Sequence, residues 1–201
     1  MPHTGPEEIQ PELTPELIEW AYRQGIFPMG TADGGVEWYS PDPRGVIELD
    51  FFHIPSRLRR TCRQGKFTVV IDRNFEKIIR NCSGRNETWI TEEIVRCYVA
   101  LHRLGKAHSV EAYRDDQLAG GLYGVALGGA FMGESMFTFQ KDASKVCLVY
   151  LVDRLKSKGF RLLDTQFLTS HLKTFGATEI SREAYLRKLE KALLLNCSFA
   201  N

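Results

Sequence analysis

An α+β fold is what this chain predicts, and three observations predict it. Apolar segments at 109–114, 117–127 and 130–137 follow one another, the first two joined by the two-residue turn Asp115-Asp116, which is the pattern of an antiparallel meander. Strongly helical segments at 142–158 and 182–194 come after this meander, and a short apolar strand at 160–164 lies between them. With 201 residues, 43% hydrophobic and 25% charged, the chain can bury one substantial core with room for a small accessory unit.

Thr14-Pro15-Glu16 combines an N-cap, a proline at the first helical position and an acid in the first turn, and Gly25 supplies a stop, so a helix is expected over 15–24. Residues 26–45 carry Pro28, Gly30, Gly34, Gly35, Pro41 and Pro43 among Phe27, Trp38 and Tyr39, which predicts an ordered loop holding aromatic rings. Val46-Ile47 reads as a strand, 55–64 as a short basic helix, 67–71 as a strand and 75–81 as a helix. Thr91 caps a helix that runs to Leu104 and stops at Gly105. After the meander, Asp142 starts a helix that Gly159 ends; 169–175 is a short helix and 182–194 an amphipathic one. Meander, helix, strand, helix is the order of an acyltransferase-type α+β domain. The first 52 residues are expected to form a small lobe, with residues 53–201 as the main domain.

Cys62, Cys82, Cys97, Cys147 and Cys197 are odd in number, scattered and never C-x-x-C, which argues against a disulfide framework and a zinc site. His3, His53, His102, His108 and His171 show no paired spacing, so no metal is expected. No apolar run approaches the roughly 20 residues of a membrane span. The acidic start, with Glu7, Glu8 and Glu12, is unlike a secretory signal, so a cytoplasmic, membrane-free protein is expected. The net charge of +1 is uninformative, but its distribution is not. Residues 56–71 hold Arg57, Arg59, Arg60, Arg63 and Lys66 with no acid among them, a run that is either solvated surface or a phosphate-contacting one.

Alternation along the strand turns Asp164 and Gln166 to one side, where they can share a site, although Asp164 can equally cap the next helix. Glu134 sits in the apolar segment Gly133-Glu134-Ser135-Met136-Phe137, where a charge needs a partner or a function; an ion pair with Lys145 is the bland alternative. Leu148, Leu151 and Leu155 share one helix face and read as core or as a pocket wall. Trp38, Tyr39 and Trp89 read as packing or as base-stacking rings.

Several unusual strings then occur together and in order. They are Ala21-Tyr22-Arg23-Gln24-Gly25-Ile26-Phe27-Pro28-Met29, Trp38-Tyr39-Ser40-Pro41-Asp42-Pro43-Arg44, Trp89-Ile90-Thr91 and Ala107-His108-Ser109-Val110-Glu111. Gly120-Gly121-Leu122-Tyr123-Gly124-Val125 follows, then Phe131-Met132-Gly133-Glu134-Ser135-Met136-Phe137 with Ala143-Ser144-Lys145, and Leu163-Asp164-Thr165-Gln166 with His171-Leu172 and Phe175-Gly176-Ala177. From about Leu17 to Leu189 the chain resembles the leucyl/phenylalanyl-tRNA-protein transferases. The resemblance implies a small amino-terminal lobe on an acetyltransferase-like (GNAT-type) domain, working without cofactor, expected as a monomer. The implied reaction moves Leu or Phe, less well Met, from aminoacyl-tRNA to an amino-terminal Arg or Lys of an acceptor protein, marking it for degradation.

Carried over by position, the resemblance implies Asp164, Gln166 and Glu134 as catalytic residues and Leu122, Phe131, Leu148, Leu151, Leu155 and Leu163 as the donor side-chain pocket. Trp89 with Tyr39, or alternatively Trp38, would hold the terminal adenosine, and Arg57, Arg59, Arg60, Arg63 and Lys66 would contact the tRNA. A neutral amide is a very weak base, so Gln166 is expected to orient the incoming amine while Asp164 takes its proton. The rival reading is an acyl-CoA-dependent N-acetyltransferase on the same fold; 137–145, where a phosphate-cradling loop would lie, contains no glycine, which counts against it. An RNA-binding module without catalysis would leave Asp164, Gln166 and Glu134 unexplained.

Overall fold

The computed structural model describes residues 12–84 and 88–200. The acidic start at Glu7 and Glu8 lies outside them, as does His3. Helix α1 (Pro15–Arg23) begins as its cap signal predicts, the Thr14 hydroxyl accepting the Leu17 N–H at 3.2 Å. The stretch expected as a loop is instead paired: β1 (Phe27–Gly30) and β2 (Val36–Tyr39) form an antiparallel hairpin in which Phe27 faces Tyr39 and Pro28 faces Trp38. Its glycines occupy the turn and a crowded crossing rather than an irregular loop. A Cβ on Gly30 would come within 2.6 Å of the Trp89 carbonyl oxygen, so only glycine lets β1 lie against the segment that carries Trp89.

The remaining strands form one sheet: β3 (Arg44–Ile47), β4 (Thr68–Ile71), β5 (Ala107–Arg114), β6 (Gln117–Leu127), β7 (Ala130–Thr138), β8 (Leu162–Gln166) and β9 (Thr178–Ile180), in the order β4-β5-β6-β7-β8-β3-β9. The meander β5 to β7 is antiparallel, as the sequence predicts, and β4, expected only as a separate strand, extends it by pairing antiparallel with β5. Strand β8 returns beside β7 in parallel after helix α5 (Ala143–Ser157). Strand β3, on the amino-terminal side of residue 52, is inserted between β8 and β9 in the large sheet. The short edge strand β9 carries no sequence signal of its own; pairing with β3 creates it.

Helices cover both faces. On one side, α1, α3 (Phe75–Ser83), α4 (Glu92–Arg103) and α7 (Arg182–Leu193) bury Ile18, Tyr22, Ile78, Ile94, Tyr98 and Leu189 against the sheet. On the other, α5 and the basic helix α2 (Ser56–Arg63) form a second core with Leu58, Leu148, Leu151, Phe160 and Phe175. Helix α5 is buried on most of its circumference, from Ala143 to Leu155, which is why its sequence is apolar all round. Side-chain caps set four more starts: Asn74 for α3, Thr91 for α4, Thr169 for the short α6 (Ser170–Lys173) and Ser181 for α7 each accept a backbone N–H three residues on, whereas Pro55 before α2 and Asp142 before α5 make no such bond. No helix among the described residues is long and apolar enough to cross a membrane.

Candidate active site

Strands β7 and β8 pair in parallel only over Ala130 to Met132 against Leu162 to Asp164. Beyond that point β7 continues to Thr138, while the chain leaves β8 in a tight turn, the Phe167 N–H bonding the Thr165 carbonyl at 2.7 Å. The two strands part, and the gap is a cavity of about 610 Å³, a size suited to a small-molecule or nucleotide-sized group. Its apolar wall is Leu122, Met136, Leu148, Leu151 and Leu163, and its polar end is Glu134 with Gln166.

Glu134 reaches this position through a bulge. Tyr123 of β6 faces Ser135 and Gly124 faces Gly133, so Glu134 is one residue too many on β7 and stands outside the ladder. It does not pair with Lys145, whose ammonium lies 3.7 Å from Asp142 instead. The Glu134 Oε1 accepts hydrogen bonds from the Tyr22 hydroxyl at 2.5 Å and the Gln166 Nε2 at 2.7 Å. Tyr98 lies 3.4 Å from the other oxygen and 2.5 Å from the Tyr22 hydroxyl. The surrounding chain strips most of the hydration from this carboxyl and the nearby Asp164 charge opposes its ionisation, so its pKa is pushed up to about 8 despite the hydrogen bonds that favour the anion.

Gln166 has φ of +62°, a left-handed conformation uncommon for a residue with a side chain and costing on the order of 1–3 kcal/mol. Two things hold it there. Its N–H donates to Asp164 Oδ1 at 2.8 Å, and β3 approaches so closely that a Cβ on Gly45 would lie 2.8 Å from the Phe167 carbonyl carbon. With one Nε2 hydrogen committed to Glu134, the side-chain carbonyl of Gln166 is the acceptor that the amide offers a ligand.

Asp164 departs from the expectation that it takes a proton. It is fully buried behind the cavity rather than on its wall. Arg44 grips it from Nε at 2.9 Å and from a terminal nitrogen at 2.7 Å, and the Tyr185 hydroxyl adds a third donor at 2.8 Å. The Arg44 guanidinium in turn donates to the Gly25 carbonyl and lies 4.4 Å from the centre of the Tyr185 ring and 4.8 Å from that of Phe27. A carboxylate saturated by a bidentate arginine is an anchor, and what it anchors is the Gln166 backbone. The cap alternative fails too, since Thr169 caps the helix that follows.

Of the expected pocket residues, Leu122, Leu148, Leu151, Leu163 and Trp89 line the cavity. Phe131 and Leu155 do not; both are core, Phe131 packing on Phe199 at 5.2 Å. Tyr39 and Trp38 also lie away from it. Tyr39 stacks on Phe27 at 6.0 Å, and Trp38 is 38% exposed. Met29 is the β1 residue that lines the cavity along with Trp89. Sequence reading missed Met29 because only the hairpin register decides which residue of β1 lies there, and it missed His171, Thr165 and Tyr123, which also line the space.

A second cavity of about 460 Å³ lies between α2 and the segment 140–142. Arg57, Arg60 and Lys66 line it, joined by Arg114 and Lys141 from other elements and by one acid, Asp142. Arg59 and Arg63 belong to the same helix outside this hollow. The five-member basic run makes no ion pair among the described residues, so its charge stays available to a polyanion. One histidine cluster the spacing did not foresee joins Asp72, His102 and His108, whose polar atoms lie within 4.8 Å of one another. Its members are already engaged: His108 bonds Asp72 at 2.7 Å and the Gly105 carbonyl at 3.1 Å, and His102 bonds the Ala107 carbonyl at 2.8 Å.

A mixed sheet parted between two parallel strands, with a carboxyl and an amide at the parting and an apolar hollow beside them, makes an α+β protein whose site has the groups of a transferase. The family model described as leucyl/phenylalanyl-tRNA protein transferase matches residues 46–190, and the model of its N-terminal domain matches residues 11–42. A leucyl/phenylalanyl-tRNA–protein transferase of Rubrobacter xylanophilus is 54% identical over 189 residues, covering 94% of this chain and 99% of that one. Its counterpart from Gloeobacter violaceus is 52% identical over 188 residues, covering 93% and 97%. The chain belongs to the leucyl/phenylalanyl-tRNA–protein transferase family. Among solved structures, a GCN5-related N-acetyltransferase-like protein from Streptococcus suis aligns with a TM-score of 0.40 and 13% identity, covering 83% of this chain and 64% of that one.

Proposed function

We propose that this enzyme takes Leu or Phe, and less well Met, from its aminoacyl-tRNA and joins it to the amino-terminal Arg or Lys of acceptor proteins, marking them for degradation. It acts in the cytoplasm, as a monomer, without a cofactor. The observation that carries the reading is the cavity itself: five leucines line a hollow that ends at the Glu134–Gln166 pair, so a donor side chain and the reacting carbonyl fit one continuous space. Trp89 and Met29 offer an apolar clamp for the terminal base, and the basic hollow at Arg57, Arg60 and Lys66 suits the phosphates behind it.

The acceptor amine attacks the ester carbonyl, a peptide bond forms, and the ribose oxygen leaves with a proton. An α-amine titrates near 7.7–8.0. Glu134, held near 8, matches it, so one proton can be shared between amine and carboxyl at little cost and passed on to the departing oxygen. The Gln166 carbonyl accepts the amine's other hydrogen and fixes its direction. Because aligning two reactants is worth roughly 7–11 kcal/mol, Asp164 contributes mostly by keeping Gln166 in its strained conformation. Asp164 is neutralised by Arg44, and Glu134 holds its proton up to about pH 8, so the amino terminus meets this carboxyl as a partner that shares one proton rather than as a fixed negative charge.

Incubating the protein with labelled leucyl-tRNA and a peptide beginning with Arg tests the reading directly; no label on the peptide would refute it. Donor choice is tested at Leu148. A Leu148→Trp variant fills the apolar wall, and transfer of Phe is expected to fall at least tenfold while binding of uncharged tRNA stays within twofold. Unchanged Phe transfer would remove Leu148 from the donor pocket.

A further inference from the structure

Three buried side-chain atoms have no hydrogen-bond partner among the described residues: Tyr123 Oη, Thr165 Oγ1 and His171 Nε2. All three residues line the cavity at the parting of β7 and β8. Leaving a buried polar atom unpaired is costly, so three such atoms around one space point to a polar ligand that completes them. His171 packs edge-on against Phe175 at 5.3 Å and Thr165 packs against Gly45, whereas the charge that bears most on Tyr123 is the Glu134 carboxyl. Tyr123 stands beside it. Its ring meets Tyr98 edge-on at 5.8 Å, and it faces Ser135 at the bulge that turns Glu134 out of the ladder.

We propose that the Tyr123 hydroxyl is a catalytic residue of the transfer, donating its hydrogen to the carbonyl oxygen of the donor ester as that oxygen becomes an anion. This rests on the acyl-transfer reading above. When the amine nitrogen bonds to the carbonyl carbon, the C=O pair moves onto oxygen; when the pair returns, the bond to ribose breaks and the amine's proton leaves with the ribose oxygen. An anion formed in a dry cleft needs a donor already in place. Tyr123 has 0% of its surface exposed, and its ring is fixed between Phe75 and Tyr98, so the hydroxyl needs no reorganisation to serve. Burial and the neighbouring Glu134 charge keep its pKa well above the ordinary tyrosine value, so the proton stays on the oxygen throughout the working range. Tyr22 and Tyr98 cannot substitute, because their hydroxyls are joined to each other and to Glu134.

The test is Tyr123→Phe in single-turnover transfer from leucyl-tRNA to an Arg-initiated peptide, with wild type alongside. The saturating rate is expected to fall roughly 10²–10³-fold, with half-saturating concentrations of both substrates within about twofold and a melting temperature equal to or above wild type. A structural hydroxyl predicts the reverse: a lower melting temperature and a nearly unchanged rate. A rate within threefold of wild type, or a loss confined to half-saturation, overturns the proposal. If Tyr123→Phe does not fold, a fluorotyrosine at position 123 keeps the shape and makes a stronger donor; an unchanged or higher rate supports the role and a tenfold loss overturns it. Wild type that transfers nothing overturns the acyl-transfer reading itself, and this proposal with it.

Discussion

Asp164→Ala is expected to destabilise the protein by about 3–5 kcal/mol, because it leaves the Arg44 guanidinium, 1% exposed, without its counter-ion. For a chain of this size that corresponds to a fall in melting temperature of roughly 6–20 °C. Thermal and denaturant unfolding both measure it. Removing both charges at once separates the ion pair from the shape it fills: Arg44→Met with Asp164→Leu should recover part of the loss, since a well-packed apolar pair can replace a buried ion pair. The single variant should also lose transfer activity at temperatures where it stays folded, as the Gln166 N–H loses the acceptor that holds its φ of +62°. A loss below 1 kcal/mol would mean that Asp164 is not the anchor described here.

Glu134→Gln should lower the single-turnover rate by about 10²–10⁴-fold, the usual share of a positioned proton acceptor, and should also change how stability depends on pH. The sign follows from the direction of the shift. An unfolded glutamate titrates near 4.5 and this one near 8, so the folded state holds its proton more tightly. The stability that this proton contributes is fully present below about pH 4.5 and is lost as pH rises toward 8. The glutamine variant lacks this titration, so its unfolding free energy should be flatter across that window. A rate within tenfold of wild type would take the proton transfer away from Glu134, and an unchanged pH slope would mean that the carboxyl ionises normally.

How much of this was legible in the sequence varies with how far each signal reaches. Thr14, Thr91 and the Asp115-Asp116 turn act within a few residues, and each element they predict is present. The hairpin of β1 and β2 was hidden because Pro28, Gly30, Gly34 and Gly35 are turn formers, and only the partner strand reveals that two of them sit within a ladder or at its end. Alternation along β8 singled out Asp164 and Gln166 together, but said nothing of Arg44, 120 residues earlier, which binds the first of them behind the cavity while only the second reaches its wall. Likewise the leucines of α5 divide between cavity and core, Leu148 and Leu151 against Leu155, along a stripe whose periodicity is the same for both.

The amino-acid order alone determined the class of fold, the meander, the capped helices and the presence of an acid and an amide on the strand after α5, because each depends on propensities and periods expressed within one segment. The tertiary structure alone decided where β7 and β8 part, that Glu134 bulges toward two tyrosines and is pushed up to about 8, and that Met29 rather than Tyr39 shares the hollow with Trp89. Those outcomes depend on desolvation and on contacts between residues far apart in the chain, and such quantities exist only once the segments are packed together.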